Sequence, residues 1–346
     1  MTLETLNQRY QNILGQVVTD YIATASTVGS RQISKKLEQR LSPATVRNVL
    51  KDLEEMGYLK QPHTSAGRIP TDKGFRFYVD TFVEKNALSV EEQRQIQEEY
   101  QIGDKDVRAL MQKTSRLLAT LSKYVSLVAA PKLERATFKH IEFLPLSQRR
   151  LLGIFVTQTG TVENRILEMN AELNHREIEK INNYCNACFI GLTLEEARAK
   201  AAKELAQAHA EYDKLLTQAL LLSQKLLSDT DQTELVVEGE TELINSNEFS
   251  TLEQVQTLLN SLEEKEQLLK ILDSCLESPG VRIFIGMESR CEATKNFSLI
   301  TATYAKNQKL LGTLGVIGPT RMNYSKVISI VDFTAKMVSD LYDRTF

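Results

Sequence analysis

Long apolar runs are missing from this sequence of 346 residues. The best stretches, residues 125–130 and 219–222, fall far short of the roughly 20 residues that a membrane helix needs, and residues 1–10 are too polar for a secretory signal. Only four cysteines occur, too few for a disulfide framework in a chain of this length. No low-complexity tract is present. These absences exclude disorder as the main state and favour a cytoplasmic protein in a reducing compartment.

The chain does have the length of two to three domains and an uneven distribution of charge. Its formal net charge is −3, but residues 1–76 hold 11 Lys and Arg against 7 Asp and Glu, and the remainder carries −7. A basic face that attracts phosphate groups is therefore possible near the N-terminus. A solvated basic helix face is the commoner explanation of such an excess, so charge alone does not decide.

The first 57 residues predict three helices. Apolar residues recur at steps of three and four from Leu3 to Tyr21, which predicts a long first helix, and residues 30–39 predict a short second one. Ser42 and Pro43 suit the N-cap and first position of a third helix that ends at Gly57. Its apolar positions face the core, and four polar positions remain on its outer face: Thr45, Arg47, Asn48 and Lys51.

Residues 58–70 predict a β-hairpin wing, because small residues at 64–67 separate two short extended pieces. Three helices followed by a hairpin are typical of a winged helix-turn-helix, whose third helix enters the major groove. Arg47 and Asn48 are then candidates for base contacts with Thr45 and Lys51 beside them, and the phosphate candidates on the wing are Lys60, His63 and Arg68. A winged helix that binds another protein is the alternative, but the basic and amide groups favour DNA.

Several strings at the two ends of the chain resemble one known family. The strings VGSRQIS (28–34), LSPATVRN (41–48), LEEMGYL (53–59) and PHTSAGRIPTDKGFRFYVD (62–80) resemble the DNA-binding domain of the HrcA family of bacterial heat-shock repressors. The string VIGPTRMNYSKV (316–327) resembles the C-terminal end of that family. Thr27 departs from the pattern, since the family usually has proline there.

The resemblance implies a homodimer that binds an inverted-repeat operator in double-stranded DNA, represses chaperone genes and depends on a GroEL-type chaperonin. It also implies a GAF-like α/β domain split by a mainly helical inserted dimerisation domain. The expected fold is therefore α+β and multidomain. We expect a winged helix at 1–86, a linker at 87–106, a GAF-like domain at 107–191 and 273–346, and the insert at 192–272.

The body of the chain predicts a sheet domain that is interrupted by helices. Thr71 caps a helix over 72–86, and the polar stretch 91–106 is the predicted linker. Consecutive strands are predicted at 125–130, 138–144, 151–157 and 161–167, and short connections favour antiparallel pairing. After a helix at 176–190 the pattern is purely helical until strands return at 281–287, 297–304 and 309–317. A helix over 324–342 closes the chain.

A heptad-like seam of apolar residues lies within the predicted insert, from Ala197 to Leu226. A second seam from Leu252 to Leu269 offers a partner helix within the same chain, whereas a dimer interface is the alternative. Periodicity leaves the two equally open, and the resemblance favours the dimer. The dimerisation residues expected on this basis are Leu205, Tyr212, Leu215 and Leu222.

Residues that often carry chemistry form no recognisable constellation. Cys185 and Cys188 make a C-x-x-C pair without the second pair that a zinc site needs, so two small buried residues are the better interpretation. The four histidines are scattered, and no phosphate-binding glycine loop follows a strand. We therefore expect no catalytic residue, no metal and no cofactor. The sequence predicts a DNA-binding repressor, with a ligand-sensing regulator controlled through the GAF-like pocket as the alternative and an enzyme as the least favoured class.

Overall fold

The computed structural model describes ten segments of the chain: residues 6–37, 41–64, 66–84, 87–100, 106–131, 136–169, 172–208, 214–227, 234–245 and 252–345. Helices and antiparallel sheets are mixed along these segments, which confirms the α+β class. No helix in them is long and apolar enough to cross a membrane.

The helices are α1 (Gln8–Thr24), α2 (Ser30–Lys36), α3 (Pro43–Glu55), α4 (Asp72–Phe82), α5 (Val90–Glu99), α6 (Val107–Ser122), α7 (His175–Phe189), α8 (Leu194–Ala208), α9 (Lys214–Leu227), α10 (Glu240–Asn245), α11 (Leu252–Glu263), α12 (Lys265–Cys275) and α13 (Tyr324–Thr345). The strands are β1 (Leu59–Lys60), β2 (Ile69–Pro70), β3 (Val125–Ala129), β4 (Phe138–Ser147), β5 (Arg150–Thr157), β6 (Val162–Glu168), β7 (Leu235–Glu238), β8 (Val281–Ile285), β9 (Phe297–Lys306) and β10 (Lys309–Pro319).

Helices α1 to α4 and the hairpin β1–β2 form an N-terminal unit, which contains the three helices and the hairpin that the sequence predicts. The Ser42 side chain accepts a hydrogen bond from the Thr45 N–H, and Pro43 occupies the first turn of α3. Both residues stabilise a helix start because they satisfy or remove free N–H groups. The buried side of α3 consists of Val46, Val49, Leu50 and Leu53.

The predicted linker at 87–106 is wrong for most of its length, because α5 occupies Val90–Glu99. Ser89 and Glu92 form a capping box at its start. Ile96 is buried, and the buried hydroxyl of Tyr100 donates to the Thr114 hydroxyl of α6 at 2.9 Å. The polar composition of this stretch reflects an amphipathic helix with one narrow buried side.

A five-stranded antiparallel sheet forms the body, with the order β7-β3-β10-β9-β8. Helices α6 and α13 cover one face, and α11 and α12 cover the other. Strand β7 lies in a stretch that the sequence analysis expected to be purely helical. It pairs with β3, so residues 234–245 return the chain to the sheet that it left after β3.

Strands β4, β5 and β6 form a separate sheet, and the expectation that they belong to the same sheet domain as β3 is wrong. Helices α7, α8 and α9 cover one face of this three-stranded sheet. The core of the unit is independent of the larger sheet and contains Phe138, Phe143, Phe155 and Phe189. Sequence spacing predicts strands but not which of two sheets they join, which explains the error.

The apolar seam of the insert is divided between two helices that pack on each other. Helices α8 and α9 contact one another, α9 also contacts β6 of the three-stranded sheet, and Ala201 and Leu226 are buried in that core. The second seam does not partner the first, because Leu258 and Leu262 of α11 pack on the five-stranded sheet. A heptad pattern shows that a helix has a partner but does not identify it.

Helix α4 of the N-terminal unit is docked against strand β8. The Arg76 guanidinium donates to both Glu288 carboxylate oxygens, with the Nε to Oε1 distance at 2.8 Å, and to the Ile283 carbonyl at 2.7 Å. The Phe75 and Tyr324 rings lie 6.2 Å apart. Polar and aromatic contacts together therefore fix the N-terminal unit to the body.

Candidate nucleic-acid interface

The outer face of α3 presents the polar side chains that the sequence analysis selected. Arg47, Asn48 and Lys51 are exposed, while Thr45 is half-buried and its hydroxyl lies 2.9 Å from the Ser42 hydroxyl. Lys51 pairs with Glu55 one turn later at 3.5 Å, a surface contact that contributes little stability. The N-terminal half of this face therefore offers two cations and an amide to a ligand in solution.

The rear of α3 is anchored by side chains from other elements. The Tyr10 hydroxyl of α1 donates to the Asp52 carboxylate at 2.6 Å, and this hydrogen bond raises the pKa of Tyr10. The Asp52 carboxylate is therefore paired within the N-terminal unit. The anchoring residue could not be read from the sequence, since nothing in the spacing links Tyr10 to Asp52.

The wing carries two exposed candidates and a loop that is held by the Gln61 side chain. Lys60 and His63 are exposed at the hairpin. The Gln61 amide donates to the carbonyls of Thr64 and Ala66, each at 2.9 Å, which fixes the turn between the strands. The structure therefore brings Lys60 and His63 to a defined surface of the N-terminal unit.

Arg68 is placed differently from the expectation that it is a phosphate contact. Its guanidinium pairs with Glu54 of α3 at 2.8 Å, and its side chain is only 19% exposed. Its backbone N–H and C=O exchange hydrogen bonds with Val28, both at 2.9 Å. This geometry does not favour the expected phosphate contact, because a guanidinium that is already paired and largely buried is not presented to a phosphate group.

Helix α2 contributes basic residues that the sequence analysis did not select. Arg31 and Lys35 are exposed, whereas Lys36 pairs with the buried Asp20 carboxylate at 2.7 Å. The first helix of a helix-turn-helix pair crosses the phosphate backbone in known complexes. That rule, applied to residues 30–39, is the signal that identifies Arg31 and Lys35 as additional candidates.

The two expected dimerisation residues whose side chains the structure describes, Leu205 and Leu222, do not share an exposed surface. Leu222 is 2% exposed and lies in the core of the chain itself, and Leu205 is half-buried against the same core. Tyr212 lies outside the described residues, and Leu215 lies on α9 at a position whose side chain is not described. For Leu222 the expectation is wrong, because its apolar surface is already covered by this chain.

A different apolar surface is exposed on the same unit. It is the face of the β4–β5–β6 sheet opposite to α7, α8 and α9, and we call it the outer sheet face. Strand register places Leu144, Leu152 and Ile166 in one row across the three strands, and Val156 beside Val162 in another. Val162 is 58% exposed and Ile166 is 53% exposed. Large apolar side chains that remain exposed side by side on a sheet are typical of an interaction surface.

The cysteines and the grooves give little indication of chemistry. Cys185 is buried beside the Ser223 hydroxyl at 3.2 Å, and burial raises the pKa of its thiol to about 11. Within the described segments, no group of three His, Cys, Asp or Glu side chains is arranged to hold a metal.

A groove of about 670 Å³ lies where the β5–β6 turn meets the β9–β10 hairpin, and its lining includes Thr159 and Lys306. The ligand-sensing alternative stays a prediction.

Comparison with known proteins gives a consistent result along the chain. The family model of the HrcA protein C terminal domain matches residues 108–328. The heat-inducible transcription repressor HrcA of Geobacter sulfurreducens is 44% identical over 338 residues, which cover 98% of each chain. That of Syntrophobacter fumaroxidans is 37% identical over 344 residues, or 99% of each chain.

One solved structure shares the fold along nearly the whole chain. The crystal structure of a hypothetical protein, determined at 2.2 Å resolution, matches 99% of this chain and 100% of its own chain, with a TM-score of 0.65 and 23% sequence identity. At that identity the likeness concerns the fold alone.

Proposed function

The chain belongs to the HrcA family of heat-inducible transcription repressors, so it is a transcription repressor and not an enzyme, and we propose that it binds double-stranded DNA through an N-terminal winged helix. The observation that carries this proposal is the outer face of α3, where Arg47, Asn48 and Lys51 are exposed together. Arginine and asparagine form the paired hydrogen bonds by which side chains distinguish guanine and adenine in the major groove.

The contacts divide into two kinds in this proposal. Arg47 and Asn48 contact base edges, with Thr45 and Lys51 beside them on the same helix. Lys60 and His63 on the wing, with Arg31 and Lys35 on α2, contact phosphate groups and so hold the helix in the groove. Their support is exposure and charge, because all four of these side chains are exposed.

We further propose a homodimer that binds an inverted-repeat operator, joined through the outer sheet face. A two-fold contact would bury each row of apolar side chains against its copy and place two winged helices for two half-sites. This surface replaces the helical seam that the sequence suggested. Exposed Leu144, Leu146, Val162 and Ile166 support it, because they have no other cover in the described chain.

The remaining assignments rest on the fold and on the family resemblance. The strands of the body, counted within their own sheet, have the order 2-1-5-4-3, which supports a GAF-like domain with the β4–β6 unit inserted between its first two strands. The family resemblance supports chaperone genes as the targets, cytoplasmic action and dependence on a GroEL-type chaperonin.

The test measures binding to a duplex that the protein itself selects from random-sequence DNA, compared with an unselected duplex. Arg47→Ala should weaken binding to the selected duplex by about 1–3 kcal/mol and change binding to the unselected duplex much less. Arg94→Ala is the matched control, since Arg94 is an exposed arginine on α5. Equal losses on both duplexes would contradict base contact by Arg47, and no selection at all would contradict DNA recognition.

A further inference from the structure

Arg68 lies where three segments of the N-terminal unit meet. Its side chain contacts Glu54 of α3, its backbone pairs with Val28 in the turn before α2, and it precedes β2 of the wing. The Arg68–Val28 pair is an antiparallel bridge in which both N–H groups donate at 2.9 Å. One residue therefore links the wing to α3 and to the turn before α2.

The backbone of the wing lies in close contact with the turn before α2 at Gly67. A Cβ atom at Gly67 would lie 2.5 Å from the Val28 carbonyl oxygen, so only glycine fits beside the bridge. The Arg68 Nε is buried, and the Glu54 side chain is 31% exposed. The guanidinium is thus directed inward to α3 from a fixed backbone position.

We infer that Arg68 is a positioning residue, which holds the wing at a set distance from the reading helix through Glu54 and does not bind phosphate. This inference rests on the proposed DNA-binding function and deepens it. The base contacts of α3 and the phosphate contacts of the wing act together only if both elements keep their relative position. The Arg68–Glu54 ion pair supplies that restraint.

The two roles predict opposite effects for the loss of the Glu54 charge. If Arg68 positions the wing, Glu54→Gln and Arg68→Met disrupt the same contact and weaken operator binding alike. If Arg68 binds phosphate, Glu54→Gln frees the guanidinium and removes a nearby negative charge, so binding becomes tighter. The sign of the change therefore separates the two roles.

The experiment uses the full chain and two probes, the duplex that it selects and an unselected duplex of the same length, over a series of salt concentrations. We expect Arg68→Met and Glu54→Gln each to weaken binding to the selected duplex about tenfold. The slope of log affinity against log salt should stay unchanged, because no phosphate contact is lost. The exchange variant Arg68→Glu with Glu54→Arg should recover most of the affinity, since the pair is rebuilt with its ends reversed.

The inference is overturned if Glu54→Gln tightens binding or if Arg68→Met lowers the salt slope by about one. Should the exchange variant not fold, hydrogen exchange of the Val28 and Arg68 amides in the two single variants gives a second measurement, and unchanged protection in both also overturns it. Failure of the proposed function has a different signature. In that case the parent chain binds neither duplex at low salt, while the thermal unfolding of the variants still reports whether Arg68 and Glu54 are coupled.

Discussion

Replacing both Val162 and Ile166 by aspartate should dissociate the proposed dimer without unfolding the chain. Both side chains lie on the outer sheet face and are more than half exposed in the single chain. The unit that carries them is held together by the opposite face of the sheet, where Phe143 and Phe155 pack under the helices. The substitutions therefore act on the association of two chains and only slightly on the fold of one.

The expected magnitude follows from the exposed fractions. Complete burial of a valine or isoleucine side chain stabilises by about 1.5–3 kcal/mol, so the exposed half of each contributes about 1 kcal/mol on association. Two positions in each of two chains give about 4 kcal/mol, and one factor of ten in the dissociation constant corresponds to about 1.4 kcal/mol. The dissociation constant of the dimer should rise about a thousandfold, and further because charges enter an apolar contact.

Sedimentation velocity over a range of protein concentrations measures this change directly. Aspartate at both Ile190 and Leu221 is the matched control, because these residues are exposed to a similar degree on the helical side of the same unit. Circular dichroism must show that both double variants are folded. A dimer that survives in the outer-face variant, or one that dissociates only in the control, refutes the assignment of the interface.

Three further predictions concern stability and reactivity. Arg76→Met should destabilise the docking of α4 by about 2 kcal/mol, because it removes the charged hydrogen bonds to the Glu288 carboxylate and the Ile283 carbonyl. Calorimetry should then resolve a separate, lower transition for the N-terminal unit, and a single unchanged transition would contradict this. Gly67→Ala should cost about 3 kcal/mol because its Cβ meets the Val28 carbonyl, whereas Gly29→Ala, with open space around it, should cost less than about 1 kcal/mol. Cys185 should resist alkylation in the native chain at pH 8, since burial raises the pKa of its thiol to about 11 and the thiolate forms only near that pH, and mass spectrometry with and without denaturant checks this.

Local signals predicted the N-terminal unit and the family well. The Ser42–Pro43 start of α3 and the small residues of the wing depend on backbone chemistry within a few residues, and the structure has both elements. The family resemblance, found in strings at the two ends, is confirmed along the whole chain by the comparisons. The inner contacts of α3 were not predictable, because Tyr10 and Arg68 reach Asp52 and Glu54 from distant parts of the sequence.

The body was harder to predict. The errors there concern which helices and strands pack together, and not the periodicity of any one element. The seam through Leu222 is real, but its partners are α7 and the adjacent sheet within one chain. One overlooked signal was the run Leu151–Leu152–Gly153–Ile154–Phe155–Val156, which is apolar at both alternating positions. A strand of an antiparallel sheet with one solvated face alternates apolar and polar residues, so this run favours the proposed contact on the outer sheet face.

The contact between Arg76 and β8 has a consequence for solubility. Strand β8 is at the edge of the five-stranded sheet, and an uncovered edge offers free backbone groups to which another chain can add a strand. Helix α4 lies at that edge, and the Arg76 guanidinium donates a hydrogen bond to the Ile283 carbonyl of β8. The N-terminal unit therefore also covers the edge of the five-stranded sheet. A chain whose N-terminal unit undocks would expose this strand edge to strand addition by another chain, so loss of the contacts between α4 and β8 should favour self-association.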